Sequence, residues 1–273
     1  MKTFLRISAF CVIQFSIIYG SGGPAPPPPF LSSEVSGLPY QAPLFFADTN
    51  TVTILTQLSF FTPSSIDGDI HVEGTYKATV ENQSDKDLKW NIPGTAFNLG
   101  MNINAGSNWA FFMVARVEDS EDGIAANMDL GASILISSEK DVRARLDLGV
   151  SSLSMGMATK LGYNDSTFSV KTTNDKSWDP FISLTLNTAV DDWVINPFVQ
   201  ASYCFQTLFN IEWSEDVEIY SNINVLSLTP GIIYRLNKNI LLVAGGSYYI
   251  PSQIEDKSSP GIYSGFVQAN FLF

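Results

Sequence analysis

Short runs of alternating apolar and polar residues dominate the chain from about residue 50 to its C-terminus. In 124–137, every even position from Ile124 to Ile136 is apolar, whereas the odd positions include Asn127 and Asp129. A period of two places successive side chains on opposite faces of a β-strand. The same period recurs in three further clear runs, 97–104, 142–150 and 181–190. The pattern therefore predicts an all-β protein made of two-faced strands.

Two architectures use two-faced strands: a soluble sandwich, and a membrane barrel with lipid outside and a polar lumen. Lys and Glu, which usually keep the outer face of a soluble sheet in solution, are scarce in the runs and concentrated in the connections. The runs are also about ten residues long, the length that a tilted strand needs to cross the hydrocarbon. The sequence favours a transmembrane antiparallel up-and-down β-barrel over the sandwich.

Strand number is less sharply defined than strand type. Bacterial single-chain barrels have an even number of strands. Eleven runs can be identified, at 51–61, 70–80, 95–105, 108–117, 123–137, 142–155, 178–190, 193–206, 221–236, 239–250 and 261–273. Residues 38–47 also alternate and provide a twelfth candidate, although Pro39 and Pro43 are unfavourable in a strand interior. We predict about 12 strands, with 10 as the alternative.

The N-terminal region differs from the rest. Lys2 and Arg6 precede an apolar stretch, which predicts an export signal over residues 1–20. Residues 21–37 are rich in Pro and Gly and are interpreted as a linker, with the barrel occupying 38–273. Once the signal is removed, Cys204 is the single remaining cysteine, so no intramolecular disulfide is expected.

The last strand carries the most specific signal. Tyr263, Phe271 and the terminal Phe273 share one face, and Gln268 and Asn270 share the other. This arrangement resembles the C-terminal strand of bacterial outer-membrane β-barrels, in which a terminal Phe and alternate apolar residues form an assembly signal. The resemblance implies a location in the outer membrane of a Gram-negative bacterium. It also implies contact with outer-membrane lipid and lipopolysaccharide, and with the barrel assembly machinery.

Connection length assigns the two ends of the barrel, because outer-membrane barrels have short periplasmic turns and longer extracellular loops. The short connections, predicted to be periplasmic, lie at 106–108, 138–141, 191–192 and 237–239. The longer ones, predicted to be extracellular, lie near 81–94, 118–123, 156–177, 207–220 and 251–260.

Charge excludes one class of partner. The chain carries a net charge of −12; without Lys2 and Arg6 the balance is 13 basic minus 27 acidic residues, or −14. Nucleic acid is therefore not expected as a partner. Many acidic residues, including Glu118 and Asp119, crowd the predicted outer connections, but their spacing matches no cation-binding loop. We interpret them as solvated charges.

Catalytic chemistry is poorly represented. His71 is the single histidine. As a general base paired with a serine such as Ser59, it is the one candidate catalytic dyad in the sequence. No hydrolase, phosphate-loop or metal-ligand motif is present in the sequence. We expect neither an enzyme nor a bound cofactor or metal.

The charged residues on the polar strand faces are the candidate functional residues. In an open lumen such groups select solutes, whereas paired across a narrow lumen they close it with salt bridges. They are Arg143, Arg145, Asp147, Asp129, Arg116, Lys77, Glu73 and Arg235, accompanied by Asn98 and Asn102. The first interpretation is a porin-like channel for small hydrophilic solutes. The alternative is a closed structural or adhesive barrel that acts through its extracellular loops.

Overall fold

The computed structural model describes twelve stretches of the chain, and all regular structure in them is β. They are residues 31–46, 52–68, 71–74, 86–120, 123–138, 141–152, 158–163, 166–171, 178–189, 193–214, 217–252 and 261–273. Among these residues, no helix is long and apolar enough to cross a membrane. The predicted export signal and Lys77 lie outside the described residues.

Sixteen strands are defined within these stretches. They are β1 (Leu31–Ser36), β2 (Val52–Phe61), β3 (Ser64–Gly68), β4 (His71–Gly74), β5 (Lys86–Ile92), β6 (Thr95–Asn104), β7 (Trp109–Ser120), β8 (Gly123–Ser138), β9 (Val142–Ser152), β10 (Ala158–Tyr163), β11 (Ser166–Lys171), β12 (Trp178–Thr188), β13 (Ile195–Ser214), β14 (Val217–Asn237), β15 (Ile240–Ser252) and β16 (Ile262–Leu272).

Ten of the described strands close into an antiparallel barrel. Their order around the wall is β2, β6, β7, β8, β9, β12, β13, β14, β15 and β16, and β16 pairs with β2 to complete the circle. The backbones of Val52 and Phe273 exchange hydrogen bonds at this seam. The alternative prediction of 10 strands is confirmed.

The preferred count of 12 is wrong, and two runs explain the difference. Residues 38–46 form no strand, although they alternate in sequence. In the run 70–80 the described residues contain only β4, which pairs with residues 217–220 of β14 at one end of the barrel. Alternation shows that two sides of a segment meet different surroundings; it does not show that the segment belongs to the wall.

The two faces of the wall differ as the sequence predicts. On β6, Phe97 and Leu99 are 45% and 49% exposed, whereas Asn98 and Asn102 are buried inside the barrel. Trp109, Trp178 and Trp193, all exposed, lie at or beside strand ends, where indole rings favour a membrane interface. An apolar outer surface around a polar interior is stable only in a lipid bilayer. The described strands therefore form a transmembrane β-barrel.

The short turns and the long connections lie at opposite ends, as expected. By the usual arrangement of such barrels, the end with the short turns and the C-terminus faces the periplasm. Two predicted outer loops are largely strand: β7 continues to Ser120 and β8 begins at Gly123, while β13 continues to Ser214 and β14 begins at Val217. Extended hairpins therefore replace loops there.

A second sheet lies at the outer end of the barrel. Its five strands are ordered β11, β10, β1, β5 and β3, and β1 pairs with β5 in parallel. Val35, Ile66 and Trp90 of this sheet pack into one buried cluster with Tyr249 and Ile262 of the barrel wall. Residues 31–36, predicted to be linker, therefore form a strand of a sheet that covers the outer mouth. Hereafter this is the outer sheet.

Candidate functional site: the lumen of the barrel

Residues 37–46 run through the lumen as an extended segment, here called the plug. Every residue from Val35 to Phe45 is buried. A ten-stranded barrel is wider than an eight-stranded one, whose interior is just filled by its own side chains. The additional width accommodates one extended chain.

The plug is held through its backbone rather than by strand pairing. Pro39 and Pro43 have no N–H group, so each removes one donor that a regular ladder would use. Instead, side chains of the wall donate to plug carbonyls: Gln206 to Leu38 at 3.0 Å, Arg116 to Gln41 at 2.8 Å, Gln200 to Pro43 at 3.2 Å, Gln268 to Leu44 at 2.5 Å and Arg145 to Phe45. The donors come from β7, β9, β13 and β16, so the plug is held from several sides.

Two plug N–H groups have wall partners as well. The N–H of Leu38 donates to the Glu118 carboxylate at 3.0 Å, and the N–H of Tyr40 donates to the side-chain oxygen of Gln206, also at 3.0 Å. The side-chain oxygen of Gln41 accepts hydrogen bonds from Asn98 at 3.1 Å and Ser59 at 3.4 Å. Burying a backbone amide without a hydrogen-bond partner costs free energy, and the plug is not paired with a strand that would supply partners. These bonds to wall side chains therefore stabilise the buried plug.

An ion cluster anchors the outer half of the plug. Arg116 bonds to Asp129 at 3.1 Å and lies 4.0 Å from Glu118, and all three side chains are at most 2% exposed. Its guanidinium also lies 5.4 Å from the centre of the Tyr40 ring. Asn127 donates to Glu118 at 2.8 Å. The one arginine is thus shared between two carboxylates and the plug.

A second ion cluster lies toward the periplasm. Arg145 bonds to Asp147 at 2.6 Å, and Asp147 also accepts from Ser133 at 2.5 Å and from Ser183 at 3.1 Å. The Arg145 guanidinium lies 5.3 Å from the centre of the Phe45 ring. Because Arg145 also donates to the Phe45 carbonyl, this ion pair on one wall strand connects the wall to the plug.

Four lumen phenylalanines lie against glycines on the neighbouring strand. Each ring covers the glycine directly opposite it in the strand pairing, where any side chain would clash. The pairs are Phe112 with Gly131, Phe181 with Gly149, Phe198 with Gly231 and Phe266 with Gly245. Three of these rings contact plug aromatics: Phe181 stacks on Tyr40 at 4.6 Å, Phe112 lies 6.1 Å from Phe45, and Phe198 lies 5.0 Å from Phe46. Glycine therefore lets the rings lie flat, leaving room for the plug.

We expect Gly149→Ala to destabilise the barrel by about 1–3 kcal/mol, the usual cost of overpacking a core. The added methyl group would lie 2.5 Å from the Phe181 ring. Gly106→Ala is the control, since nothing lies within 4 Å of a methyl group there. Urea unfolding followed by heat-dependent gel migration measures both. Equal stability of the two variants would contradict the packing role of Gly149.

The structure brings together most of the predicted lumen residues. Asn98, Asn102, Arg116, Asp129 and Asp147 are buried in the lumen, and Arg145 is 12% exposed. Arg143 is partly exposed on the same strand as Arg145. Arg235 is exposed near the periplasmic end of β14.

The assignment of Glu73 to the lumen wall is wrong. Glu73 belongs to β4 and pairs with Glu218 of β14, above the barrel. The prediction for Glu118 as a solvated loop charge is also wrong, because β7 continues through it and turns its side chain into the lumen. Sequence analysis missed the glutamines Gln41, Gln200, Gln206 and Gln268; their position on polar strand faces is the signal that could have identified three of them.

The enzyme-like pairing has no support in the wall. Ser59 is buried in the lumen and donates to Gln41, whereas His71 belongs to β4 at the outer end. Among the residues described, no three His, Cys, Asp or Glu side chains are grouped to hold a metal ion.

The candidate assembly-signal residues lie at the wall seam. Phe273 and Tyr263 are 66% and 59% exposed on the outer face, and Phe271 pairs with Ile54 of β2. Their role in assembly stays a prediction.

Comparison with known proteins gives similarity of shape without a family. No protein-family model matches the sequence, and no curated protein matches it. Among solved structures, the outer membrane protease OmpT from Escherichia coli has a TM-score of 0.47 and 10% identity, over 85% of this chain and 99% of that one. The translocator domain of the autotransporter NalP from Neisseria meningitidis has a TM-score of 0.39 and 14% identity, over 83% of this chain and 90% of that one. Neisserial surface protein A has a TM-score of 0.31 and 9% identity, over 82% of this chain and 97% of that one. Similarity at this level implies no shared activity.

Proposed function

We propose that this outer-membrane barrel is closed to solutes and acts through the surface that it presents outside the cell. The observation that supports the proposal is the occupied lumen: wall side chains hydrogen-bond five carbonyls of the plug, from Leu38 to Phe45. A solute-conducting lumen needs a continuous water-filled path. The plug occupies the place of such a path.

Both ends of the lumen add to the closure. At the outer end, Leu38 of the plug packs with Trp90, Leu88 and Ile66 of the outer sheet, and the Trp90 indole donates to the Gly37 carbonyl at 2.9 Å. At the periplasmic end, Leu44 packs with Phe198 and Phe266, and Phe46 packs against them. Apolar packing at both ends excludes water more effectively than the polar middle would alone.

The presented surface consists of the outer sheet and of strands that continue beyond the bilayer. β13 and β14 are 20 and 21 residues long, about twice the length needed to cross the hydrocarbon. β4 adds to the outer end of β14. A β platform of this kind suits a structural or adhesive role, because backbone pairing rather than loops defines its shape.

A porin-like channel for small hydrophilic solutes is the second candidate. The polar wall favours it: Asn102, Thr185, Ser202, Ser227 and Thr229 all face the lumen and are buried. Without the plug, such a wall could be solvated by water and could conduct. The channel therefore requires movement of residues 37–46, whereas the closed barrel requires none.

Planar-bilayer recording of the refolded full-length protein separates the two candidates. We expect no stable conductance steps, because the plug occupies the lumen and apolar side chains pack at both of its ends. A refolded bacterial porin, recorded in the same lipid, serves as the positive control. Regular conductance steps from the unmodified protein would contradict the closed barrel and favour the channel.

A further inference from the structure

The direction of the plug is set by the end of the barrel at which β1 lies. β1, which precedes the plug, pairs with β5 and β10. β5 belongs to the connection between β2 and β6, and β10 belongs to the connection between β9 and β12. Both connections lie at the end opposite the short turns. Leu31 is therefore at the extracellular end of the barrel.

The plug then descends to the periplasmic end. Leu38 meets Glu118, which is two residues before the outer end of β7, and Phe45 meets Arg145, which is three residues beyond the periplasmic start of β9. Ten fully extended residues span about 33–36 Å, enough to cross the roughly 30 Å of the hydrocarbon core. After the plug, β2 starts at Val52, whose N–H and carbonyl bond to the C-terminal Phe273. The chain thus crosses the membrane once through the lumen before it enters the wall.

We propose that the barrel carries its own N-terminal tail across the outer membrane and displays it on the cell surface. The tail comprises the residues between the predicted signal and β1, from Ser21 to Phe30. The predicted export signal would release this tail in the periplasm, whereas Leu31 lies at the extracellular end. The tail would therefore pass the outer membrane while the barrel assembles around the plug. This proposal shares with the proposed function the observation that the plug occupies the lumen, but it depends on the direction of the plug rather than on closure.

The chemistry of the tail suits passage through a narrow lumen. Ser21 to Phe30 contain no Asp, Glu, Lys or Arg, and five of the ten residues are proline. Its side chains add no ion to desolvate in a low-dielectric lumen, and the α-amino group that signal removal would create at Ser21 is its one charge. With so many prolines, it has few backbone donors and cannot add a ladder to the wall strands on its way. The nearest acidic residue, Glu34, lies within β1.

Thiol labelling on intact cells tests the direction. In a Cys204→Ala background, which removes the one native cysteine of the exported chain, three single cysteines are compared: Ala25→Cys in the tail, Ser65→Cys in the outer sheet and Ser107→Cys in a periplasmic turn. The probe is a maleimide carrying a polyethylene glycol chain too large for porins, and attachment is read as a shift in gel mobility. Heat-dependent migration first establishes that each variant is folded.

We expect positions 25 and 65 to be labelled on intact cells, and position 107 only after the outer membrane is permeabilised. Labelling of position 65 but not of position 25 on intact cells would overturn the proposal, because the tail would then be inside. Labelling of position 107 on intact cells would overturn it too, since the barrel would be inverted. Conductance recording decides closure separately, so a closed barrel with an inward tail remains distinguishable from an open one.

Discussion

Replacing Arg116 with alanine is expected to destabilise the folded barrel by about 3–5 kcal/mol, the usual cost of removing one partner from a buried ionic group. The substitution would leave the carboxylates of Glu118 and Asp129 together in the lumen without a cation. It would also remove the donor to the Gln41 carbonyl of the plug. Urea titration of the refolded protein, with the folded fraction read from heat-dependent gel migration, gives the free energy of unfolding.

Two further variants identify charge as the cause. Arg235→Ala removes an exposed arginine near the periplasmic end and should change stability by no more than about 0.5 kcal/mol. Combining Arg116→Met with Glu118→Gln and Asp129→Asn neutralises the cluster at similar volume and should recover much of the loss, because neutral amides are less costly to bury than carboxylates. A loss below about 1 kcal/mol for Arg116→Ala would contradict the anchoring role of the cluster.

Deleting residues 21–46 is expected to convert a barrel that conducts no ions into one that does. The ten wall strands begin at Val52, so their pairing is left intact. The wall that remains is lined by polar side chains such as Asn98, Gln200 and Gln268, which water can solvate once the plug is absent. Planar-bilayer recording should show stable steps for the deletion variant and none for the full chain.

A peptide added back controls for leakage from a damaged barrel. A synthetic peptide with the sequence of residues 31–46 should reduce the current of the deletion variant, and a scrambled peptide of the same composition should not. If the deletion variant folds and stays silent, the plug is not what closes the lumen.

Strand positions and strand faces could be predicted from the sequence because lipid and lumen impose opposite demands on alternate residues. The runs 95–105 and 108–117 correspond to β6 and β7 with their lipid faces as expected. A face exposed to lipid must be apolar along its whole length, so the signal is repeated at every second position. The same repetition allowed the C-terminal strand to be predicted from the sequence up to Phe273.

The plug was not predictable from alternation, because an extended segment inside a lumen also meets two different surroundings. Tyr40 and Ala42 belong to one buried apolar cluster, whereas Gln41 between them bonds to polar groups of the wall. Locally this is the pattern of a two-faced strand. Pro39 and Pro43 argued against a wall strand, because each removes a backbone N–H donor from a ladder. Proline alone does not decide the matter, however, since β12, β13, β14 and β15 each contain one.

The sequence predicted most of the charged residues that line the lumen, but not which residues contact one another there. Arg145 and Asp147 lie two residues apart on one strand, so sequence alone places them side by side. The partnership of Arg116 with Asp129 depends on the register between β7 and β8, which sequence does not contain. The register also determines that Phe181 meets Gly149, which is why the aromatic–glycine pairs were not foreseen.

Photocrosslinking from position 40 tests most directly whether residues 37–46 lie inside the barrel. Tyr40 stacks on Phe181, and Phe181 pairs with Cys204 on the adjacent strand. Tyr40 is therefore replaced by a phenylalanine that carries a small diazirine, and the refolded protein is irradiated and analysed by mass spectrometry. The control places the same probe at Tyr203, which is 44% exposed on the lipid face of β13. We predict crosslinks from position 40 to peptides of β12 or β13, and crosslinks from position 203 to detergent or lipid. Crosslinking of position 40 to detergent, or to no wall strand, would contradict the plugged lumen.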